Sequence, residues 1–299
     1  MTAPFRLYPC GELFCSESRV ENPFSFAHVV DLHLPPLDQD RWPAAHHRAI
    51  EWWNIVMGRP QQRLPLLLDE VQAAGVDFVY FGGDLLDCYD RATAEHLVDL
   101  CRQRDLACYF QIGNHDYETL DIRYGSLDFD AEIRARHGSL LCDHWNMPDL
   151  YYSFTHQGVR CISLDTPYIQ TEDGYGGLFD EAQVDWLLGQ LEYDGPIIIF
   201  LHIPFNLPTI EHRMRAIWKG ILACVVEDEL GRRVRQAIEN CQNLLGLFSG
   251  HTHMRSEDPI GENYQFITGA GHAGEWRHVR VAAGPAPKSL IAPGTPDGS

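Results

Sequence analysis

Residues 109–119 read YFQIGNHDYET: an apolar and aromatic run ends on Gly113, and then Asn114, His115 and Asp116 set an amide, an imidazole and a carboxylate in a row. A surface turn needs only Asn-Gly or Asp-Gly, so three different ligating or proton-handling groups at the mouth of a buried strand call for another reason. The same punctuation recurs along the chain. VVDLHL puts Asp31 and His33 at the end of an apolar run, and VYFGGDLLD closes another with Gly83 and Asp84. IIIFLHIP closes a third with His202, and LLGLFSGHTH a fourth with His251 and His253. On an extended chain residues i and i+2 share a face, so each of the two spaced pairs is expected to aim at one point. Glycine ahead of the polar group permits a sharp turn and a close backbone approach.

Brought to one sheet edge, these five endings gather carboxylates, several imidazoles and an amide. Buried carboxylates need compensation. A mixed nitrogen and oxygen set without thiolate suits Mn, Fe, Zn or Co better than Ca or a structural zinc. Seven candidate ligands point to two metals sharing a bridging carboxylate. Taken singly, a histidine or a Gly-Asp at a strand end is ordinary loop chemistry; five in one chain are not.

Composition narrows the setting. With 299 residues, 45% of them hydrophobic, the chain can bury a real core. A net charge of −19 disfavours a long polyanion or an anionic membrane surface as partner. Nine cysteines without a C-x-x-C pair, several inside apolar runs, read as reduced and mostly buried thiols in a cytoplasmic protein. The N-terminus has no basic start followed by a long apolar stretch, and no run approaches the ~18 apolar residues of a membrane span.

Periodicity predicts strands over 24–31, 77–81, 107–112, 151–155, 159–164, 196–201, 244–249, 264–268 and 278–281, and helices over 43–57, 64–74, 92–104, 129–137, 181–191 and 231–241. Early strands alternate with helices and later ones crowd together. The expected fold is therefore α/β, a layered sandwich of two mixed β-sheets flanked by α-helices, with the ligands at strand C-terminal ends. One domain is expected over 1–283, followed by a Pro/Gly/Ala-rich tail at 284–299 that reads as disordered. The span from His202 to Gly250 is too long for a plain connection, and an insertion is expected at about 205–243, near the site.

In this order, D-x-H (Asp31, His33), G-D-x-x-D (Gly83, Asp84, Asp87), G-N-H-D (Gly113, Asn114, His115, Asp116), a lone His202 and G-H-x-H (Gly250, His251, His253) resemble the motifs of the calcineurin-like metallophosphoesterases. Val30 stands where many relatives have serine. The resemblance implies that Asp31, His33 and His253 hold one metal and Asn114, His202 and His251 the other, with Asp84 bridging. It implies two divalent or mixed-valence ions (Mn, Fe or Zn) and a metal-bridging hydroxide that attacks phosphorus. His115 would then be the general acid, with Asp116 holding its ring. The function so implied is phosphoester hydrolysis, with a phosphodiester of nucleotide or glycerol type as the leading substrate. A phosphomonoester or phosphoprotein substrate, or a catalytically silent metal-binding scaffold, are the alternatives. A small-molecule phosphoester is the expected partner; the acidic charge weakens a nuclease reading, and the oligomeric state is open.

Weaker candidates carry plainer explanations. Asp87 reads either as a support for the ligands or as a helix N-terminal acid. His272, in a glycine-rich loop, could face the substrate, and Tyr168, Tyr175 and Trp218 could wall its pocket. Arg213, Arg215 and Lys219 could meet phosphate or simply be solvated. His46 and His47 read as solvated surface residues on a helix.

Overall fold

Alternate side chains of FVYFG at 78–82 point to opposite sides, and both sides are buried. Phe78 and Tyr80 pack with Phe26, Phe200, Phe248 and Phe266, whereas Val79 and Phe81 pack with Leu67, Leu97 and Leu141. IIIFL at 197–201 behaves likewise: Ile198 and Phe200 join the aromatic cluster, while Ile197, Ile199 and Leu201 meet Val184, Val234 and Ile238. A strand buried on both faces must lie between a second sheet and a layer of helices, so these two runs define four layers, α/β/β/α. The computed structural model describes residues 5–7, 13–16, 20, 22–37, 46–119, 131–171, 174–217 and 224–282.

The first sheet has the order β1 (Phe5–Leu7), β2 (Leu13–Ser16), β14 (Arg277–Ala282), β3 (Phe24–Val29), β4 (Phe78–Gly82), β5 (Cys108–Gln111). The second runs β12 (Ser256–Ile260), β13 (Asn263–Ile267), β11 (Leu244–Ser249), β10 (Ile197–Leu201), β7 (Val159–Leu164), β6 (Tyr152–His156). Both are mixed. β3, β4 and β5 are parallel neighbours, and so are β7, β10, β11 and β13, with antiparallel pairs at the flanks. A two-stranded ribbon, β8 (Tyr168–Thr171) and β9 (Gly174–Gly177), stands apart. Between the sheets the Tyr80 and Phe200 rings stack 3.6 Å apart, and Tyr80 Oη donates to Ser163 Oγ at 2.7 Å, so the aromatic layer also carries a satisfied polar link.

Helices α1 (His47–Val56), α2 (Pro60–Ala73), α3 (Arg91–Arg102) and α4 (Ala131–Trp145) belong to the first half of the chain. α5 (Glu181–Leu191), α6 (Pro208–Ile217) and α7 (Glu229–Glu239) belong to the second. Asp90, Asp180 and Asp228 cap α3, α5 and α7 by accepting from the backbone N–H three residues on.

The α/β sandwich of mixed sheets is as expected, and the differences have physical causes. β12, SEDPI, was not foreseen because two carboxylates and Pro259 read against a strand; it lies at a sheet edge, where charge and proline are tolerated. α4 runs eight residues past the expected stop at His137, since Gly138 is a packing residue and not a cap: a Cβ there would come within 3.1 Å of the Tyr117 ring. α7 is the crossover helix between parallel β10 and β11, and α6 is additional to it, docked on β12 through Thr209 N–H to Asp258 Oδ1 at 2.9 Å. The tail at 284–299 and the start of the expected first helix lie outside the described residues.

One buried cation ties the two sheets together. Arg277 of β14 is 0% exposed and donates from Nη2 to Glu257 Oε1 of β12 and to the Ile267 carbonyl, both at 2.9 Å. Removing one partner of a buried ion pair leaves the other uncompensated. Glu257→Gln is therefore expected to lower unfolding stability by about 3 kcal/mol, near the low end for such pairs because Glu257 is partly exposed. Urea denaturation checks this; an unchanged midpoint would show that the pair is dispensable.

Candidate metal centre

The parallel order of both sheets decides where the motif residues go. Asp31, Asp84 and Asn114 follow β3, β4 and β5, three adjacent parallel strands, and His202 and His251 follow the adjacent parallel β10 and β11. All five chains therefore end at one rim, and hydrogen bonds stitch them across it. Asp31 N–H donates to the Gly83 carbonyl at 3.0 Å and His33 N–H to the Asp84 carbonyl at 3.0 Å. His251 N–H donates to the Asp31 carboxylate at 3.0–3.1 Å, joining the two sheets, and His115 N–H donates to Asp84 Oδ1 at 2.9 Å.

The side chains converge in three groups whose ligand atoms all lie within 4.8 Å of one another: Asp31, His33 and His253; Asp84, His202 and His251; and His33, Asp87 and His115. Asp84 Oδ2 is central, 3.1 Å from His202 Nε2, 3.8 Å from His33 Nε2 and 3.9 Å from His115 Nε2. His202 Nδ1 donates to the Gly82 carbonyl at 2.8 Å, which directs its Nε2 toward Asp84.

The local backbone is not extended, contrary to the expectation from i, i+2 spacing. Asp31, His33, Asp84, His251 and His253 all have positive φ, between 47° and 68°. Aspartate and histidine tolerate this region better than most residues, yet each costs about 1–3 kcal/mol. The left-handed turn splits His251 from His253, so the two face different groups instead of one point.

Asp116 also departs from its expected role. Its Oδ1 accepts from Leu86 N–H and its Oδ2 from Gly113 N–H, both at 2.7 Å, so it clamps the two ligand-bearing loops together. The carboxylate beside the His115 ring is that of Glu118, with Oε2 3.2 Å from Nδ1. The reason is geometric: residues 115–117 form a 3-10 turn, in which positions i and i+3 eclipse while i and i+1 diverge. The i+3 spacing of Glu118 is the sequence signal for this contact, in GNHDYE. Asp87 backs His33, with Oδ1 3.4 Å from its Nδ1, and accepts from Trp53 Nε1 at 2.9 Å; the helix cap is Asp90 instead. His272 lies against His253, with Nε2 3.3 Å from its Nδ1. His46 is buried at the start of α1, not solvated, while His47 is exposed. Arg213 is bonded to the Arg255 carbonyl. Trp218, Lys219 and the side chains of Tyr168, Tyr175 and Arg215 lie outside the described residues.

The residues fit a pair of cations. Asp31 and Asp84 are 0% and 1% exposed, and among the described residues no lysine or arginine pairs with either. Burial, opposed by His202 and reinforced by the Asp84 charge, pushes the Asp31 carboxyl up to about 8. Asp84 is held well below the usual carboxylate range: its burial works against ionisation, but His202, His115 and His33 outweigh it. His202, despite burial, is driven up to about 9 by Asp84. Burial, helped by neighbouring imidazoles, lowers His251 to about 3 and His253 well below its ordinary value, leaving both neutral and ready to ligate. Asn114 Oδ1 is buried without a hydrogen-bond partner among the described residues. His33 Nε2 and His253 Nε2 are 2.9 Å apart and converge with Asp31, so the three would hold one ion.

Gly113 makes this packing possible, since a Cβ there would come within 2.2 Å of Asp84 N and 2.3 Å of Asp84 Oδ1. Gly113→Ala is thus expected to displace the central carboxylate and remove most bound metal while both sheets stay folded. Elemental analysis beside circular dichroism checks this; full metal content in the variant would contradict the packing argument.

Among curated proteins, none matches this sequence. The structure is similar to a dimetal phosphatase from Danio rerio, with 14% identity, 83% of this chain and 87% of that one covered, and a TM-score of 0.49. It is also similar to a phosphopantetheinyl hydrolase from Mycobacterium tuberculosis, with 13% identity, coverage of 92% and 100%, and a TM-score of 0.46. A third similar structure is GAP50, the anchor in the inner membrane complex of Plasmodium, with 13% identity, coverage of 84% and 72%, and a TM-score of 0.45. Residues 24–255, which carry every motif that meets at the rim, match the calcineurin-like phosphoesterase family, and the chain belongs to it.

Proposed function

We propose that this phosphoesterase is a dinuclear-metal phosphodiesterase acting on a small phosphodiester of nucleotide or glycerol type. The observation that carries the reading is His115: its side chain is 17% exposed, beside the buried Asp84 and backed by Glu118. A scaffold has no need of a proton donor there.

Asp31, His33 and His253 would hold one ion, and Asn114, His202 and His251 the other, with Asp84 shared. When bound, the pair (Mn, Fe or Zn by its nitrogen and oxygen donors) supplies charge neutralisation at phosphate and lowers the pKa of water. The chain's own residues supply the rest. Asp84 and Asp31, fixed by the amides of His115 and His251, keep the ligand array in register. His115, with Glu118 Oε2 3.2 Å from its Nδ1 to hold the ring, presents Nε2 to the leaving oxygen and delivers the proton an alkoxide requires. Asp116 keeps His115 over Asp84 by locking the two loops.

Charge supports a diester. Among the described residues, no lysine or arginine pairs with the carboxylates of the cluster, so a singly charged diester is better matched than a monoester with its second ionisation near pH 6. No helix among the described residues is long and apolar enough to cross a membrane. Seven cysteines, from Cys88 to Cys241, are free thiols, most of them buried, which suits a cytoplasmic setting. The stretch around 205–243, starting beside His202 and holding α6, is proposed to set substrate choice.

His115→Ala is expected to keep both metals and to lose about 10²–10⁴-fold in turnover of a dialkyl phosphodiester, but little with a nitrophenyl ester, whose leaving group departs unprotonated. Glu118→Gln should show the same contrast more weakly. Equal losses on both esters would assign His115 to phosphate positioning. No loss on either, or activity confined to monoesters, would overturn the phosphodiesterase reading.

Asp116→Asn should behave differently. It turns an amide N–H₂ toward a backbone donor, so it is expected to cost about 1–3 kcal/mol of stability with no dependence on the leaving group. A leaving-group contrast in Asp116→Asn would return this residue to the proton-transfer step.

A further inference from the structure

His272 lies outside every motif discussed, yet it is fixed at three points, two of them on its ring. Its backbone N–H donates to the Asp31 carbonyl at 3.0 Å. Nδ1 is 3.1 Å from the Met57 carbonyl at the C-terminus of α1, and Nε2 is 3.3 Å from His253 Nδ1. Arg63 ties down the neighbouring backbone, donating to the Gly58 and Ala273 carbonyls at 3.1 and 2.9 Å.

These contacts impose a direction. A carbonyl oxygen can only accept, so the proton of His272 is on Nδ1 and its Nε2 carries the lone pair. That lone pair accepts from His253, which places the His253 proton on Nδ1. His253 Nε2 is then bare, and it is the atom that lies 2.9 Å from His33 Nε2 and 3.7 Å from Asp31 Oδ1. The left-handed His253 backbone, φ 56°, fixes the main chain but not the tautomer. We infer that His272 is a positioning residue: a relay from the Met57 carbonyl through His272 sets the tautomer and ring plane of His253 as a ligand of the first metal. The inference rests on the dinuclear reading and adds to it a link from the end of α1 to one of the two ions.

Zinc, being diamagnetic, is the probe. Its affinity is measured by chelator competition on the whole protein, and the His253 ring nitrogens are followed by long-range ¹H–¹⁵N spectroscopy. In the wild type, two zinc ions and a His253 protonated at Nδ1 are expected. His272→Phe keeps the bulk but not the acceptor; it should weaken one site about 10–100-fold, leave the other unchanged and scramble the His253 tautomer. His272→Gln, whose amide can accept from His253 while donating to Met57, should restore affinity to within about threefold, and it decides the matter alone if the Phe variant does not fold. A His272→Phe protein with both affinities and the His253 tautomer unchanged would overturn the relay while sparing the dinuclear reading. So would a folded His272→Gln with a loss of tenfold or more. A wild type that binds fewer than two zinc ions would overturn both.

Discussion

Asp31 and Asp84 are ionisable groups withdrawn from water at one rim of the sandwich, and the rest of the structure answers to that burial. Two carboxylates with no lysine or arginine partner among the described residues, ringed by imidazoles, form an array at odds with its own charge. Asp31 resists ionisation, whereas His251 and His253 are held neutral. Cations resolve all of this together, because they favour carboxylate and neutral imidazole alike.

The scaffold supplies what such an array requires. Parallel strands from two sheets deliver five chain ends to one edge, and an aromatic layer from Phe26 to Phe266 holds the sheets face to face. Five left-handed residues at the rim then turn the ligands inward. At about 1–3 kcal/mol each their combined strain rivals the net stability of a typical domain. The hydrogen bonds of Asp116, His202 and His251 offset part of it, and metal bound by these residues would offset more. Strain of this kind ties the site to the fold: the ligand loops can hold these conformations only while the sheets beneath them are packed.

Sequence reading reached the fold because the signals that decide it are local. Continuous apolar runs such as 78–82 and 197–201 mark strands buried on both faces, and the polar residues that end them mark the rim. What stayed illegible depends on turn geometry or tertiary placement. The resemblance implied Asp116 as the carboxylate partner of His115, whereas a 3-10 turn brings Glu118 to the ring. By spacing alone His251 and His253 look like one pair, but they join separate groups in space, a division that only the resemblance implied. His272 has no motif around it, and its contact with His253 arises only when β14 packs beside β3 and the Gly271–Ala273 turn meets the end of α1.

The central claim is that two metal ions share Asp84. Anomalous scattering from crystals reconstituted with manganese tests it most directly. The account predicts two peaks per chain, one beside Asp31, His33 and His253 and the other beside Asn114, His202 and His251, both within bonding distance of Asp84. A single peak, or one centred on His33, Asp87 and His115, would contradict it.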